Sequence, residues 1–100
     1  MKLVKLITSP KPNKKYRALF DDGTYTDFGA NKLVDGKYVP YDDYTIKKDP
    51  DQAERYRKRH KKDLETNDPK RAGYLSYYIL WTAPTLNEGI RNYKKIISTY

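Results

Sequence analysis

The sequence has no cysteine among its 100 residues. Disulfide bonds and thiolate metal sites are therefore excluded, and the cysteine count gives no sign of an oxidising compartment. Histidine is represented only by His60, which lies among lysines and arginines, so a nucleophile would find no well-placed base. For His60 we favour an amphipathic residue at the edge of a packed helix face over a catalytic one.

Other marks of catalysis or cofactor binding are missing as well. The five glycines are isolated at turns and helix ends, so none belongs to a phosphate-binding loop. The pairs Asp42-Asp43 and Asp49-Pro50-Asp51 lack the further oxygen ligands that a hard cation needs, and the second pair suits helix capping. We therefore expect no enzyme activity, no catalytic residues, no cofactor, no metal ion and no small-molecule substrate.

Long hydrophobic runs are also absent. The apolar positions between Met1 and Ile7 are too few for the central region of a signal peptide, and no run approaches the roughly 20 residues of a membrane-spanning helix. The sequence predicts a protein without a membrane span that is synthesised in the cytoplasm.

Positive charge and tyrosine are what the chain has in excess. Lysine and arginine number 21 against 13 acidic residues, which gives a net charge of +8 and favours acidic or polyanionic partners. The mean hydropathy of -1.03 is typical of disorder, but 14% aromatic residues, including eleven tyrosines, favour a folded chain. The length suits one domain over residues 1–100 with a single modest core.

The first third of the chain predicts antiparallel strands. Leu3 to Thr8 is short and partly β-branched, and Lys15 to Phe20 alternates apolar and polar residues with period two. Asp22-Gly23 suits the tight turn of a hairpin, and Thr24 to Phe28 is its return strand. We expect a β-hairpin or a three-stranded meander. Residues 29–43 are interpreted as a long loop, either a connector pinned by tyrosines or a binding loop.

The rest of the chain predicts three α-helices. Asp49-Pro50 begins the first, which runs to about Leu64, and Asp68-Pro69 begins the second, which continues through Ala72 to Trp81. Thr85 and Glu88 form a capping box that begins the third. Together the elements predict an α+β fold. The predicted core is Tyr56, Leu75, Tyr78, Ile79, Trp81, Leu86 and Ile90.

The best binding candidate is the basic helix between residues 50 and 64. Its apolar stripe is narrow and most other positions are cationic, so it could neutralise several phosphates. It has no groove-reading motif, and the strands carry no clear RNA-stacking pattern, although Tyr16, Phe20, Tyr25 and Phe28 could supply rings. The candidate residues for binding a polyanion or a partner are Arg55, Arg57, Lys58, Arg59, Lys61 and Lys62.

A series of short motifs, spread over roughly residues 16 to 95, carries a family resemblance. The motifs are Phe28-Gly29-Ala30, Tyr44-Thr45-Ile46, Asp49, Arg55-Tyr56, Arg59-His60, Asp68-Pro69, Ala72-Gly73-Tyr74-Leu75-Ser76-Tyr77, Leu80-Trp81, Pro84-Thr85-Leu86, Ile90 and Tyr93. In this order they resemble a family of small, basic, mostly uncharacterised proteins encoded by large double-stranded DNA viruses of algae and protists. Thr82-Ala83 is a slight variation on the family's usual link before Pro-Thr-Leu.

The resemblance implies a viral protein, synthesised in the host cytoplasm and located in the virion. A minor capsid or capsid-associated role follows by association, with other viral structural proteins as partners. Exposed tyrosines and arginines would then make the protein contacts. The alternative is a non-specific nucleic-acid-binding protein that contacts the viral genome through the basic helix.

Overall fold

A computed structural model describes all residues from Met1 to Tyr100. Its first 40 residues form a single antiparallel sheet in which every strand pairs with its neighbour in sequence. The strands are β1 (Leu3–Thr8), β2 (Lys14–Phe20), β3 (Tyr25–Val34) and β4 (Lys37–Pro40). The predicted meander is confirmed in its first three strands, and helices follow it, as the predicted α+β class requires.

The fourth strand corrects the prediction of a loop over residues 29–43. β3 runs six residues beyond Phe28, and it returns as β4 through a two-residue turn at Asp35-Gly36. Both turn residues have positive φ, 51° at Asp35 and 78° at Gly36, which is the geometry of a type I′ hairpin. The tyrosines of this segment therefore belong largely to a second hairpin.

The helical part contains more elements than the three predicted helices. The α-helices are α1 (Tyr44–Lys47), α2 (Pro50–Arg59), α3 (Ala72–Trp81) and α4 (Leu86–Ile97), and a 3₁₀ helix (Lys61–Thr66) follows α2. The predicted helix over 50–64 is thus wrong in its last turn. The chain leaves α-helical geometry at His60, and the tighter 3₁₀ turn places Leu64 against the core. None of the helices combines the length and the apolar composition that a membrane-spanning segment needs.

The start signals hold at two of the three predicted helices. Asp49 caps α2, since its Oδ1 accepts hydrogen bonds from the backbone N–H groups of Asp51 and Gln52. Thr85 Oγ1 accepts from Glu88 N–H at 3.3 Å, although the reciprocal bond of the predicted capping box is absent. Asp68-Pro69 does not begin a helix: Asp68 accepts from the N–H groups of Lys70 and Arg71 and forms a turn, and α3 begins at Ala72.

The core lies between one face of β1–β3 and the helices. Phe28, Leu75, Ile79 and Tyr93 are fully buried there, and Tyr93 Oη donates to the Pro69 carbonyl at 2.6 Å. Of the predicted core residues, Leu75, Ile79 and Trp81 are buried, whereas four others are half-buried and pack against the core. These four are Tyr56, Tyr78, Leu86 and Ile90.

Candidate functional site

The basic helix presents most of its predicted binding residues to solvent. Arg55, Lys58 and Arg59 of α2 are exposed, and so are Lys61 and Lys62 of the 3₁₀ helix. Lys58 forms an ion pair with Glu54 at 3.3 Å, but the other four have no acidic partner within 4 Å. Four unpaired cations therefore remain on this surface, which we call the basic surface: Arg55, Arg59, Lys61 and Lys62.

Arg57 does not belong to the basic surface, which corrects its inclusion among the candidate binding residues. Its Nη1 donates to the carbonyl oxygen of Trp81 at 2.5 Å, and its side chain is half-buried. Carbonyls in the last turn of a helix have no partner within that helix. A cation beside them is also attracted to the negative end of the helix dipole. Arg57 therefore connects α2 to the C-terminal end of α3.

His60 lies in an aromatic stack. Its ring lies 4.1 Å from the Tyr56 ring, whose other face lies 4.0 Å from the Trp81 ring. Burial is the main reason why the pKa of Tyr56 is raised to about 12. His60 Nδ1 is also 3.4 Å from Asp63 Oδ2. These contacts give the histidine a packing role at the end of α2.

A cleft of about 520 Å³ opens beside this stack, between the sheet and helices α2 and α3. Lys15 and Asp43 form a buried ion pair at its edge, with Nζ and Oδ2 2.5 Å apart and side chains 7% and 2% exposed. Lys15 Nζ also donates to the Tyr41 carbonyl, and Asp43 Oδ1 caps α1 by accepting from Thr45. The pair therefore fastens the end of the second hairpin to the body of the protein.

The lining of the cleft does not select a ligand. Its basic residues Lys14, Lys15 and Arg59 are matched by three carboxylates, from Asp42, Asp43 and Asp63. Nowhere in the chain do three or more histidine or acidic side chains meet as a metal site would require. The charges of the cleft balance, so the cleft concentrates neither anions nor cations.

The second hairpin projects from the body and is exposed on both faces. We call residues 32–41 the arm, and every side chain of the arm is exposed. Its large apolar side chains range in exposure from 37% at Val39 to 61% at Leu33. They are Leu33, Val34, Tyr38, Val39 and Tyr41. Half of the molecule's exposed large hydrophobic residues are therefore concentrated in one ten-residue segment.

The root of the arm is held firmly. Asn31 Nδ2 donates to the carbonyls of Pro12 and Lys14, both at 3.0 Å, and Asn31 N–H donates to Asn13. On the opposite strand Tyr41 N–H bonds to Ala30, and the Tyr41 carbonyl accepts from Lys15. The hydrogen bonds of the root therefore orient the arm on the body.

The comparisons with known proteins give a family but no function. A family of unknown function, DUF5754, matches residues 4–60. The chain belongs to this family. No curated protein and no solved structure matches the chain.

The DUF5754 match takes in the sheet apart from Leu3, the arm, the Lys15–Asp43 pair and α2. Helices α3 and α4, which supply many of the buried residues, lie beyond it. The viral resemblance drew on motifs in both parts, and those from Asp68 onward fall outside the matched residues. The arm therefore lies within the family segment, and so do Arg55 and Arg59 of the basic surface, whereas Lys61 and Lys62 lie just beyond it.

The aromatic rings that could have stacked on RNA bases are not displayed together. Phe20 and Phe28 are buried in the core, and Tyr16 packs against Phe28 with ring centroids 5.8 Å apart. Only Tyr25 is exposed, and the Arg17 guanidinium already lies 3.8 Å above its ring. The sheet therefore offers no stacking platform. Arg17 is also hydrogen-bonded to Asp27, and this bond holds the pKa of Asp27 below its usual value.

Neither the arm nor the Lys15–Asp43 pair follows from the sequence interpretation. A signal for the arm was present, because Asp35-Gly36 is the same type of turn dipeptide as Asp22-Gly23. For the ion pair, the only local signal is the spacing of Asp43 and Thr45 at a helix start. Nothing in the sequence indicates that Lys15 reaches Asp43, which lies 28 residues away.

Proposed function

We propose that this protein is a structural protein that joins other proteins in an assembly through its arm. The viral resemblance leads us to propose further that the assembly is the particle of a large double-stranded DNA virus. The protein would then be a minor capsid or capsid-associated component, made in the host cytoplasm, and its partners would be other viral structural proteins.

The exposed arm is the observation that carries this proposal. The body buries or half-buries most of its large apolar side chains, and Phe28 and Tyr93 are 0% exposed. The arm leaves five such side chains in water. Contiguous exposed apolar groups mark interaction sites on soluble proteins, and tyrosine is enriched at the centres of interfaces.

The anchored root supports the same conclusion. Association costs conformational entropy whenever loops or side chains become ordered on binding. The hydrogen bonds of Asn31 and Tyr41 already hold the arm's backbone before a partner arrives. A pre-ordered arm therefore binds with less entropy lost than a flexible loop of the same composition.

Incorporation into particles tests this proposal. Tagged wild-type protein and the variant Leu33→Ser/Tyr38→Ser would be expressed in infected cells, and both would be quantified by mass spectrometry in purified particles. We expect the wild type in fixed stoichiometry to the major shell protein and the arm variant at a much lower level. Val4→Ser is the matched control, because Val4 is 63% exposed but lies in β1, outside the arm.

Two results would contradict the proposal. Absence of the wild-type protein from mature particles would exclude the virion role. Equal incorporation of the arm variant and the wild type would exclude the arm as the element that makes the contacts. Circular dichroism of the purified variants would verify that each one is folded.

The basic surface supports a second candidate function, non-specific binding to the phosphates of the viral genome. The specific observation is that Arg55, Arg59, Lys61 and Lys62 are exposed without acidic partners. Each phosphate contact made by such a cation releases condensed counterions, so the affinity should fall steeply as salt rises.

Charge reversal separates a localised site from a general effect of the +8 charge. Arg55→Glu/Arg59→Glu/Lys62→Glu should abolish binding to duplex DNA. Arg91→Glu/Lys94→Glu/Lys95→Glu changes the net charge equally on exposed positions of α4 and should leave more binding. No wild-type binding at about 0.15 M salt, where non-specific proteins bind with dissociation constants of about 10⁻⁴ to 10⁻⁶ M, would exclude this function.

A further inference from the structure

The arm has two chemically different faces. Residues directly opposite in an antiparallel pair lie on the same face, and the register places Leu33 opposite Tyr38. Pro40 follows on the same face, which is therefore apolar. The other face, which we call the cationic face, combines two lysines with two valines, since Lys32 is opposite Val39 and Val34 is opposite Lys37.

The aromatic ring of Tyr41 extends the cationic face toward the root. Lys32 Nζ lies 5.4 Å from the centre of that ring. Neither Lys32 nor Lys37 has an acidic partner within 4 Å, although Asp35 lies at the turn between them. The cationic face therefore presents two lysines without an ion-pair partner beside apolar groups.

Strand addition at the edge of β4 is disfavoured by Pro40. Tyr41 N–H bonds to the Ala30 carbonyl, so alternation directs the backbone of Lys37, Val39 and Tyr41 toward β3. The outward groups then belong to Tyr38 and Pro40, and proline has no N–H to donate. We therefore expect a partner to recognise the side chains on the two faces of the arm rather than the backbone edge of β4.

Charge decides between the classes of partner. A second copy of a chain with net charge +8 would bring like charges together. Nucleic acid would meet a net charge of only about +1 on the arm, from two lysines and Asp35. A membrane would first meet the Asp35 carboxylate at the tip of the arm. An acidic protein satisfies the lysines and also buries the apolar face.

We infer that the arm's partner is a protein surface with an apolar groove that takes Leu33 and Tyr38, and with carboxylates along the side that meets Lys32 and Lys37. This inference rests on the proposed function and names the chemistry of its partner. The apolar face supplies the binding free energy, and the two lysines supply orientation and speed of association.

Two cross-linking chemistries test the inference on particles that contain the protein. Benzoylphenylalanine in place of Tyr38 forms a covalent cross-link to the partner's groove on illumination. A carbodiimide joins lysine amines directly to carboxylates. We expect Lys32 or Lys37 to be linked to aspartate or glutamate of the same protein that Tyr38→benzoylphenylalanine captures. Lys32→Arg/Lys37→Arg should keep incorporation and lose the carbodiimide links, because it keeps the charge but removes the amine.

Charge reversal gives the quantitative test. Lys32→Glu/Lys37→Glu should lower incorporation at least about tenfold, because like charges would then meet across the contact. Lys94→Glu/Lys95→Glu changes the net charge equally on exposed positions of α4 and should leave incorporation unchanged.

The outcomes distinguish this inference from the proposed function. If a protein is captured at position 38 but neither Lys32 nor Lys37 is linked to its carboxylates, the inference of an acidic partner is overturned. The proposed structural role would then remain in place. Capture of lipid, of DNA or of a second copy would overturn the inference, as would an arm-dependent dimer of the purified protein in sedimentation velocity. Absence of the protein from particles would overturn both proposals.

Discussion

The body and the arm of this protein use similar residues in opposite ways. In the body, Tyr93 is fully buried and its hydroxyl is bonded to the Pro69 carbonyl. In the arm, Tyr38 is 48% exposed on β4, a strand that has no close contact with any helix. An isolated hairpin is marginally stable in water, so the arm depends on its continuity with β3 and on its bonded root. The body thus keeps the arm ordered, and the apolar side chains of the arm remain available to contact a partner.

The largest expected difference in stability between the two regions arises when a glycine is replaced by alanine. A Cβ at Gly89 would lie 1.9 Å from the Ile79 carbonyl oxygen, because α3 and α4 cross there in backbone contact. We expect Gly89→Ala to cost more than about 4 kcal/mol of unfolding free energy, or to prevent folding.

The matched control is Gly36→Ala in the turn of the arm. No atom lies within 4 Å of the added Cβ, so only the positive φ of 78° opposes it. The cost should be about 1 to 2 kcal/mol. Urea denaturation measures both variants, and similar losses would refute the close crossing of α3 and α4.

Truncation of aromatic side chains sharpens the same comparison. Phe28→Ala removes a fully buried ring and should cost about 3 to 5 kcal/mol. Tyr38→Ala removes a half-exposed ring of the arm and should change stability by no more than about 0.5 kcal/mol. A large loss in Tyr38→Ala would mean that the arm packs against the body in solution.

The Lys15–Asp43 pair links the two regions. Lys15→Met leaves the Asp43 carboxylate buried without its cation and should cost about 3 kcal/mol. Lys32→Met is the control, because Lys32 is exposed and has no acidic partner. Hydrogen exchange should also speed up at Tyr41 in Lys15→Met, and unchanged protection there would contradict the role of Lys15 as an anchor.

Alkaline pH should weaken the body through its buried tyrosines. Burial raises the pKa of Tyr56 from 10.0 to about 12, and it also raises the pKa values of Tyr74 and Tyr93. These groups keep their protons more tightly in the folded state, so their stabilisation is present below pH 10 and is lost as the pH rises. The urea midpoint should fall between about pH 10 and pH 12, and less steeply in Tyr56→Phe. If Tyr56→Phe and the wild type showed the same pH dependence, the raised pKa of Tyr56 would be contradicted.

The sequence predicted those parts of the fold that have a buried face or a local cap. Tyr16, Ala18 and Phe20 alternate because one side of β2 faces the core, and Asp49 caps α2 through its own neighbours. The arm escaped prediction because both of its faces are exposed, so Leu33-Val34 and Tyr38-Val39 show no alternation. The Asp35-Gly36 dipeptide, which suits a tight turn, is the only local signal of this hairpin.

The candidate site shows the same division. By sequence alone, Arg57 is indistinguishable from Arg55 and Arg59, and only the packing of α2 on α3 brings its guanidinium to the Trp81 carbonyl. Asp68-Pro69 carries the same start signal as Asp49-Pro50, yet Asp68 forms a turn and the Pro69 carbonyl accepts from Tyr93. The bond from Arg57 to Trp81 and the bond from Tyr93 to Pro69 both depend on partners that are distant in the chain.

The sequence by itself determined the net charge of +8, the lack of cysteine chemistry, the first three strands and the caps of α2 and α4. Each of these depends on composition or on residues within a few positions of one another. Only the tertiary structure decided that Arg57 is bonded within the protein, that Lys15 meets Asp43, and that the arm stands exposed. Burial and long-range pairing arise when the whole chain packs, and they separate residues that look alike in the sequence.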